Sequence, residues 1–389
     1  MVYAKVVATE GICSSGLNAE TIFNNCVLGN SVESTNGLKP LSESTWNLLT
    51  ENAPPELRKS KATILASYLL SSLLKKTNWS VAEINDCGFI FASTTAEIDL
   101  WEKDFTEINT QTTPTLAELK SSHEVIRHQS LGLIHQDLQN YFSIHGPMSV
   151  VASSCSASSQ ALALAALWLH SGQVKRCIVG STEILSELTT SGFDSLRLLS
   201  KSVCRPFDKN RNGIHLGEAG AFIALESPDS DKTSLANLSG FAMTSDAYHA
   251  TSPHPTGDGS GRSIQQALKT ANITADQIDW FYAHGTGSAA NDAAEAMAVQ
   301  NNFTHSPFVS SSKSIHGHTL ATSGLLETIL CVEALREQKV IPNKCIIETD
   351  PNFEINLITQ PKKIDYILKN SLGFGGINCS LIFSRADLA

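Results

Sequence analysis

The sequence predicts an α/β protein built from two similar halves, and three observations carry that reading. Short β-branched runs alternate with longer helix-like runs along the whole chain, the pattern of strands covered by crossover helices, with largely parallel sheets. Midway, the polar, charged and proline-containing stretch ESPDSDKTS (226–234) interrupts the alternation, which then resumes; such a stretch marks a junction. Finally, 389 residues, 42% hydrophobic and only 17% charged, suffice for two domains or one large duplicated one. The expected division is 1–230 and 231–389. No repeat is visible between the halves, so any duplication is structural only.

In the first half KVVAT (5–9), GFIFAST (88–94), PMSVVAS (147–153), RCIVGS (176–181) and GAFIALE (220–226) read as strands. Helices are expected over 19–29, 61–76 and 159–172. The last is apolar nearly all round, which predicts a helix buried mid-molecule, with Gly172 as the residue that ends it. The second half continues with helix (263–272), strand (WFYAHG), helix (292–302), strand (PFVSSSK) and helix (324–339). Two strands around the glycine turn of YILKNSLGFGGINCSLIFSR close the chain. The polar, helix-prone region 96–146 has few sharp signals, and GDGSGRS (257–263) reads as an exposed turn.

A net charge of −10 argues against nucleic acid or anionic lipid as a partner. The nine cysteines are scattered, with no CxxC pair, which points to a reducing compartment rather than a disulfide framework or zinc ribbon. MVYAKVVATEG reads as a first strand, and no apolar run reaches the ~20 residues needed to cross a bilayer. A cytoplasmic location is expected.

Three clusters could carry chemistry. Cys155, in VASSCSASSQ, follows a strand and precedes the buried helix. A helix N-terminus favours an anion and lowers a thiol pKa, so Cys155 fits a nucleophile as well as a buried structural thiol. His284 leaves a strand into a glycine turn, with Asn291 and Asp292 as capping residues of the next helix. Lys313 and His318 flank the turn IHGH. His316, His318 and His284 could be read as metal ligands, but they lack a recognisable ligand spacing. The glycines of NSLGFGGIN allow close backbone approach to a ligand.

Taken in order, SSCSAS, RPFDKNRNGIHLGEAGA, SDAYHATSP, HGTGSAAND, KSIHGH and GFGGIN resemble the signature blocks of elongating β-ketoacyl-acyl carrier protein synthases. The likeness runs from about residue 3 to 385. It implies a thiolase-like α-β-α-β-α sandwich and a decarboxylative condensation that needs neither metal nor redox cofactor. Cys155 matches the acyl-accepting nucleophile, and His284 and His318 the two histidines, neutral donors to an enolate. Lys313 matches the lysine that supports the second histidine, Glu327 its acidic partner, and Asp292 a supporting residue of the HGTG block. Phe374 matches the gating phenylalanine, whose N–H joins that of Cys155 in an oxyanion hole. The implied partner is acyl carrier protein, for which Arg58, Lys59, Lys61 and Arg205 are basic candidates. The implied assembly is a homodimer or a heterodimer with a chain-length factor.

The chain departs from the family pattern in the serines around Cys155, in His316 for threonine, in Leu372 for phenylalanine, and in a shortening between residues 35 and 125. These departures resemble ketosynthase subunits of type II polyketide or aryl polyene pathways, and they place the serines at the mouth of an acyl pocket. Two other functions compete. One is a thiolase-type acyltransferase using coenzyme A thioesters; the other is a scaffold subunit of the same fold, against which Cys155 speaks.

Overall fold

The computed structural model describes residues 2–109 and 130–388. The first half runs β1 (Ala4–Cys13), α1 (Ala19–Leu28), β2 (Leu38–Lys39), α2 (Glu43–Asn52), α3 (Lys61–Thr77), α4 (Val81–Asn85), β3 (Gly88–Ala92), α5 (Ile98–Asn109), α6 (Leu133–Phe142), β4 (Met148–Val151), α7 (Ala157–His170), β5 (Arg176–Glu183), α8 (Glu187–Ser195), β6 (Leu216–Gly217) and β7 (Ala219–Glu226). The second runs β8 (Ala236–Ser245), α9 (Asp258–Ala271), β9 (Trp280–Tyr282), α10 (Ala289–Asn302), β10 (Phe308–Ser310), α11 (Lys313–His316), α12 (Ser323–Glu337), β11 (Tyr366–Gly373) and β12 (Ile377–Arg385). The expected strands and most expected helices are present. The helix-prone stretch 96–146 gives α5 and α6, and its middle, 110–129, lies outside the described residues, as does part of the expected shortening.

The strands are hydrogen-bonded in the order β10-β9-β11-β12-β8-β1-β7-β5-β3-β4, with β2 paired separately to β6. The duplication that no sequence repeat shows is written in this order. From β1 outward the first half reads first, last, fourth, second and third strand; from β8 outward the second half reads the same. Pairing sense repeats too: β1–β7 and β7–β5 are antiparallel and β5–β3–β4 parallel, as β8–β12 and β12–β11 are antiparallel and β11–β9–β10 parallel. The expectation of largely parallel sheets is therefore corrected. Only strands reached by a crossover helix are parallel, while the returning strands of each half run antiparallel.

Alternating side chains divide the molecule into layers. Phe89 and Phe91 of β3 join one core with α3, while Ile90 and Ala92 face another with α7 and α12. In β12, Cys379, Leu381 and Phe383 share that second core, and Ile382 faces a third beneath α9 and α10. Helices α7 and α12 each pack on strands of both halves, giving the α-β-α-β-α order. The middle position explains why α7 is apolar nearly all round; it ends with Gly172 in the left-handed conformation (φ +75°). GDGSGRS is not an exposed turn: it opens α9, and Gly259 and Gly261 are buried because side chains there would strike Asp246 and Asn302.

Close packing between strands sets one firm limit. Gly180 on β5 lies opposite Phe222 on β7, and an added Cβ would sit 2.2 Å from the Phe222 ring. Gly180→Ala should cost about 1–3 kcal/mol of stability, read by denaturant unfolding; a variant as stable as the wild type would show that the ring is free to move.

Candidate active site

Between β4 and α7 the chain turns through Ser154, a non-glycine residue at φ +51°, which sets Cys155 at the N-terminal end of α7. Gly373 of β11 packs against Ser153 and Ser156 on either side of it, where any side chain would lie 3.1 Å from each. Cys155 is buried yet lines a cavity of about 440 Å³, together with His284, His318, Leu372 and Phe374. The Phe374 ring stacks on Phe193 across this cavity, centroids 5.6 Å apart.

The sequence suggested a lowered thiol pKa. Instead, burial pushes Cys155 up to about 12, against the opposing pull of the Lys313 charge and of the Phe374 and Cys155 N–H groups. Desolvation of the anion outweighs the donors at the helix end. The Cys155 thiol is therefore neutral.

His284 follows β9 into a turn fixed from behind by two carboxylates of α10. Glu295 accepts the N–H groups of His284 (2.7 Å) and Gly285 (2.8 Å), and Asp292 those of Thr286 (3.0 Å), Gly287 (3.2 Å) and Phe207 (2.8 Å). Asp292 is thus no helix cap. Ser288 holds that position, and Asp292 lies inside α10, fully buried, tying the histidine turn to the RPFD segment.

His318 is anchored by backbone bonds to the first half: its N–H donates to His215 O (2.6 Å), and its carbonyl accepts Gly217 N–H (3.0 Å). Its Nδ1 is 2.9 Å from Ser323 Oγ, which also accepts Thr319 N–H (3.2 Å). The two rings lie 5.1 Å apart, nearly perpendicular. Burial first, and then the Lys313 charge, hold both imidazoles well below their ordinary pKa; both are neutral.

Lys313 corrects an expectation. Its Nζ donates to His284 O (2.6 Å) and lies 3.3 Å from His284 Nδ1, so it supports the first histidine, while Ser323 supports the second. An ammonium only donates, so His284 Nδ1 accepts and its proton is on Nε2. Glu327 is indeed the acidic partner of Lys313, both fully buried.

Residues 235–346 match the family model "Beta-ketoacyl synthase, C-terminal domain" and 110–230 the corresponding N-terminal domain, together more than half of the chain. The chain belongs to the β-ketoacyl synthase family. It is 35% identical over 257 residues to 3-oxoacyl-[acyl-carrier-protein] synthase 2 of Synechocystis, and 32% identical over 258 residues to that of Staphylococcus aureus. Each alignment spans 62% of this chain and 62% of the relative. Among solved structures it is similar to a chain of the complex of ketosynthase ApeO with its chain length factor ApeC from Xenorhabdus doucetiae (TM-score 0.83, 26% identity, 98% of both chains). A type II polyketide synthase complex, AntDE:AntF, shares the fold (TM-score 0.86, 22% identity, 99% of both chains).

The chain's departures from the family pattern fall in places the sequence did not indicate. Leu372 lines the cavity, but the serines after Cys155 do not mark its mouth. Ser158 donates to Ala321 O and accepts Leu325 N–H (3.0 Å), and Ser159 shares a 2.7 Å hydrogen bond with Ser371, both fully buried behind Cys155. His316 is held away from the cavity by Ser312 Oγ (2.6 Å) and Gly317 O (2.7 Å). Among the described residues no cluster of metal-ligating side chains is placed to hold a metal ion.

The basic candidates stay outside the cavity. Arg58 donates to Ala53 O and Glu51 O, Lys59 pairs with Asp137 (2.6 Å), and Lys61 lies over Trp46. Arg205 is half-buried beside the Phe207 turn. The cavity's arginines are Arg197 and Arg211, which sequence reasoning missed. It also missed Glu295, although Glu295 stands three residues after Asp292, on the same helix face. Another omission was Lys369, whose signal is a charge inside the apolar strand YILKN.

Burial holds His316 at about 4, against 6.5 in the unfolded chain. Between those values only the unfolded chain takes up the proton, so His316 weakens the fold as pH falls from 6.5 towards 4. The stability advantage of wild type over His316→Gln should shrink by roughly 3 kcal/mol across that range, as measured by urea unfolding. An advantage independent of pH would contradict this.

Proposed function

We propose that this chain is a ketosynthase that carries out decarboxylative Claisen condensation on carrier-bound substrates in fatty acid or polyketide synthesis. The observation that carries the reading is one cavity in which a buried cysteine meets two neutral imidazoles, each held at Nδ1 by a neighbouring side chain.

In the first step the Cys155 sulfur attacks an acyl thioester, and the carrier thiol leaves. Because the thiol starts neutral, its proton passes during attack to the departing carrier sulfur, which leaves as the thiol. The N–H groups of Cys155 and Phe374 hold the oxyanion. Next, a malonyl thioester loses CO2 and its enolate oxygen takes hydrogen bonds from His284 and His318. The carbanion forms a C–C bond to the acyl carbon, Cys155 leaves as thiolate, and the product is two carbons longer. Lys313 and Glu327 support the His284 side, and Asp292 and Glu295 shape its turn.

Acyl carrier protein is the proposed partner, with Arg58, Lys59, Lys61 and Arg205 as its basic contacts. We read the chain as halves 1–230 and 231–389, consistent with the repeated strand order. A mixed dimer with a chain-length factor is favoured by the likeness to a chain of the complex of ApeO with its chain length factor.

Incubated with acyl-carrier protein, wild type should gain one acyl mass, located on Cys155, and Cys155→Ala none; acylation of that variant, read by intact mass, would sink the assignment. His318→Ala should keep acyl loading but lose on the order of 10²–10³ in condensation rate. Condensation with coenzyme A thioesters but not carrier-bound ones would favour a thiolase-type enzyme instead.

A further inference from the structure

Lys369 lies midway along β11 with no solvent exposure, in a strand whose neighbours Ile367 and Leu368 are core residues. A buried ammonium needs a strong reason to be there. Its Nζ is 3.0 Å from Glu327 Oε2, while the other oxygen of the same carboxylate holds Lys313. The Oε2 contact is a charge pair rather than an aligned hydrogen bond, because Lys369 directs its protons to Ser371 and to Ser159 (3.3 Å). Two buried cations therefore share one buried anion, directly behind the two histidines.

We infer that Lys369 is a positioning residue for condensation: acting through Glu327, it leaves the Lys313–Glu327–Lys369 cluster one positive charge in excess and so keeps His284 and His318 unprotonated while the carbanion exists. The inference rests on the ketosynthase reading and adds to it a residue outside the cavity. The serines after Cys155 gain a role with it. Ser159 of α7 and Ser371 of β11 orient the second ammonium, linking the nucleophile's helix to the charge cluster.

The chemistry shows why the excess charge matters. After CO2 leaves, the carbanion either attacks the acyl group on Cys155 or takes a proton. An imidazolium at His284 or His318 would supply that proton, ending the cycle as an acetyl thioester with Cys155 still acylated. A nearby cation makes imidazolium formation harder.

The groups facing the histidines are Lys313 of α11, Glu327 of α12, Lys369 of β11, Glu295 of α10 and the neighbouring His316, with Cys155, Arg197, Arg211 and Asp246 lining the same cavity. Around Lys369 itself stand Glu327 and Cys331 of α12 and Cys379 of β12, both thiols pushed up by burial. Glu295, pushed up by burial to about 7, adds a negative charge only above that pH, so the excess positive charge is strongest where protonation threatens most.

The test compares wild type with Lys369→Met and Lys369→Gln, supplied with acyl-carrier protein and malonyl-carrier protein between pH 5 and 8. The ratio of acetyl thioester to β-ketoacyl product is read by mass spectrometry. In wild type the ratio should stay low. In both variants it should rise as pH falls, with the rise displaced upward by about one pH unit, while acyl loading of Cys155 persists. A packing role alone would lower both products together and leave the ratio's pH dependence unmoved, which would overturn the inference. If wild type neither loads nor condenses, the ketosynthase reading itself has failed. Should neither variant fold, ¹⁵N-histidine titration of wild type still tests the inference: His284 and His318 resonances that titrate near pH 6.5 would overturn it.

Discussion

A carboxylate with no access to water is the constraint around which the site is organised. Glu327, on the middle helix α12, is fully buried, and an isolated charge there would cost several kcal/mol. It is tolerable only because Lys313 and Lys369 reach it from two other segments, α11 and β11. Lys313 in turn grips the His284 carbonyl, and Lys369 reaches the α7 serine Ser159. One buried anion thereby ties together the helix that carries Cys155, the turn that carries His284, and the strand that leads to Phe374. Burial pushes Lys313 toward neutrality, and against its own burial the two lysines hold Glu327 below its ordinary pKa.

The second constraint is that the cavity belongs to both halves of the fold. Cys155 comes from the first half, and His284, His318 and Phe374 from the second. The halves are stitched together beside the cavity, where Leu216 and Gly217 pair with the His318 segment so closely that Gly217 admits no side chain: an added Cβ would lie 2.2 Å from His316 O. The repeated strand order places equivalent strand ends at this seam, so a duplicated scaffold carries a single asymmetric site.

Burial also sorts the titrating groups by chemistry. It raises the thiol and lowers the imidazoles, so Cys155, His284 and His318 are themselves uncharged in front of the cluster behind them. A neutral thiol and neutral imidazoles suit chemistry in which a proton is removed from sulfur and must then be kept from carbon. The paired carboxylates of α10 serve a different end: they satisfy backbone donors of the histidine turn, which sets its direction.

Much of this was legible from sequence because it depends on local order. The alternation of strands and helices, the apolar helix after Cys155, the glycine turns and the ordered blocks around Cys155, His284, Lys313, His318 and Phe374 are all properties of short segments, whose periodicity and backbone freedom are set by neighbouring residues. What only the tertiary structure decided involves partners far apart in the chain. It decided that Lys313 serves the first histidine and Ser323 the second, that Asp292 braces a turn instead of capping a helix, and that Ser158 and Ser159 face inward. It also paired Lys369 with Glu327 across 42 residues of chain. Periodicity reports which face of an element is buried but not which groups meet there, and a pKa follows from desolvation and through-space charge. Both exist only once distant segments have packed.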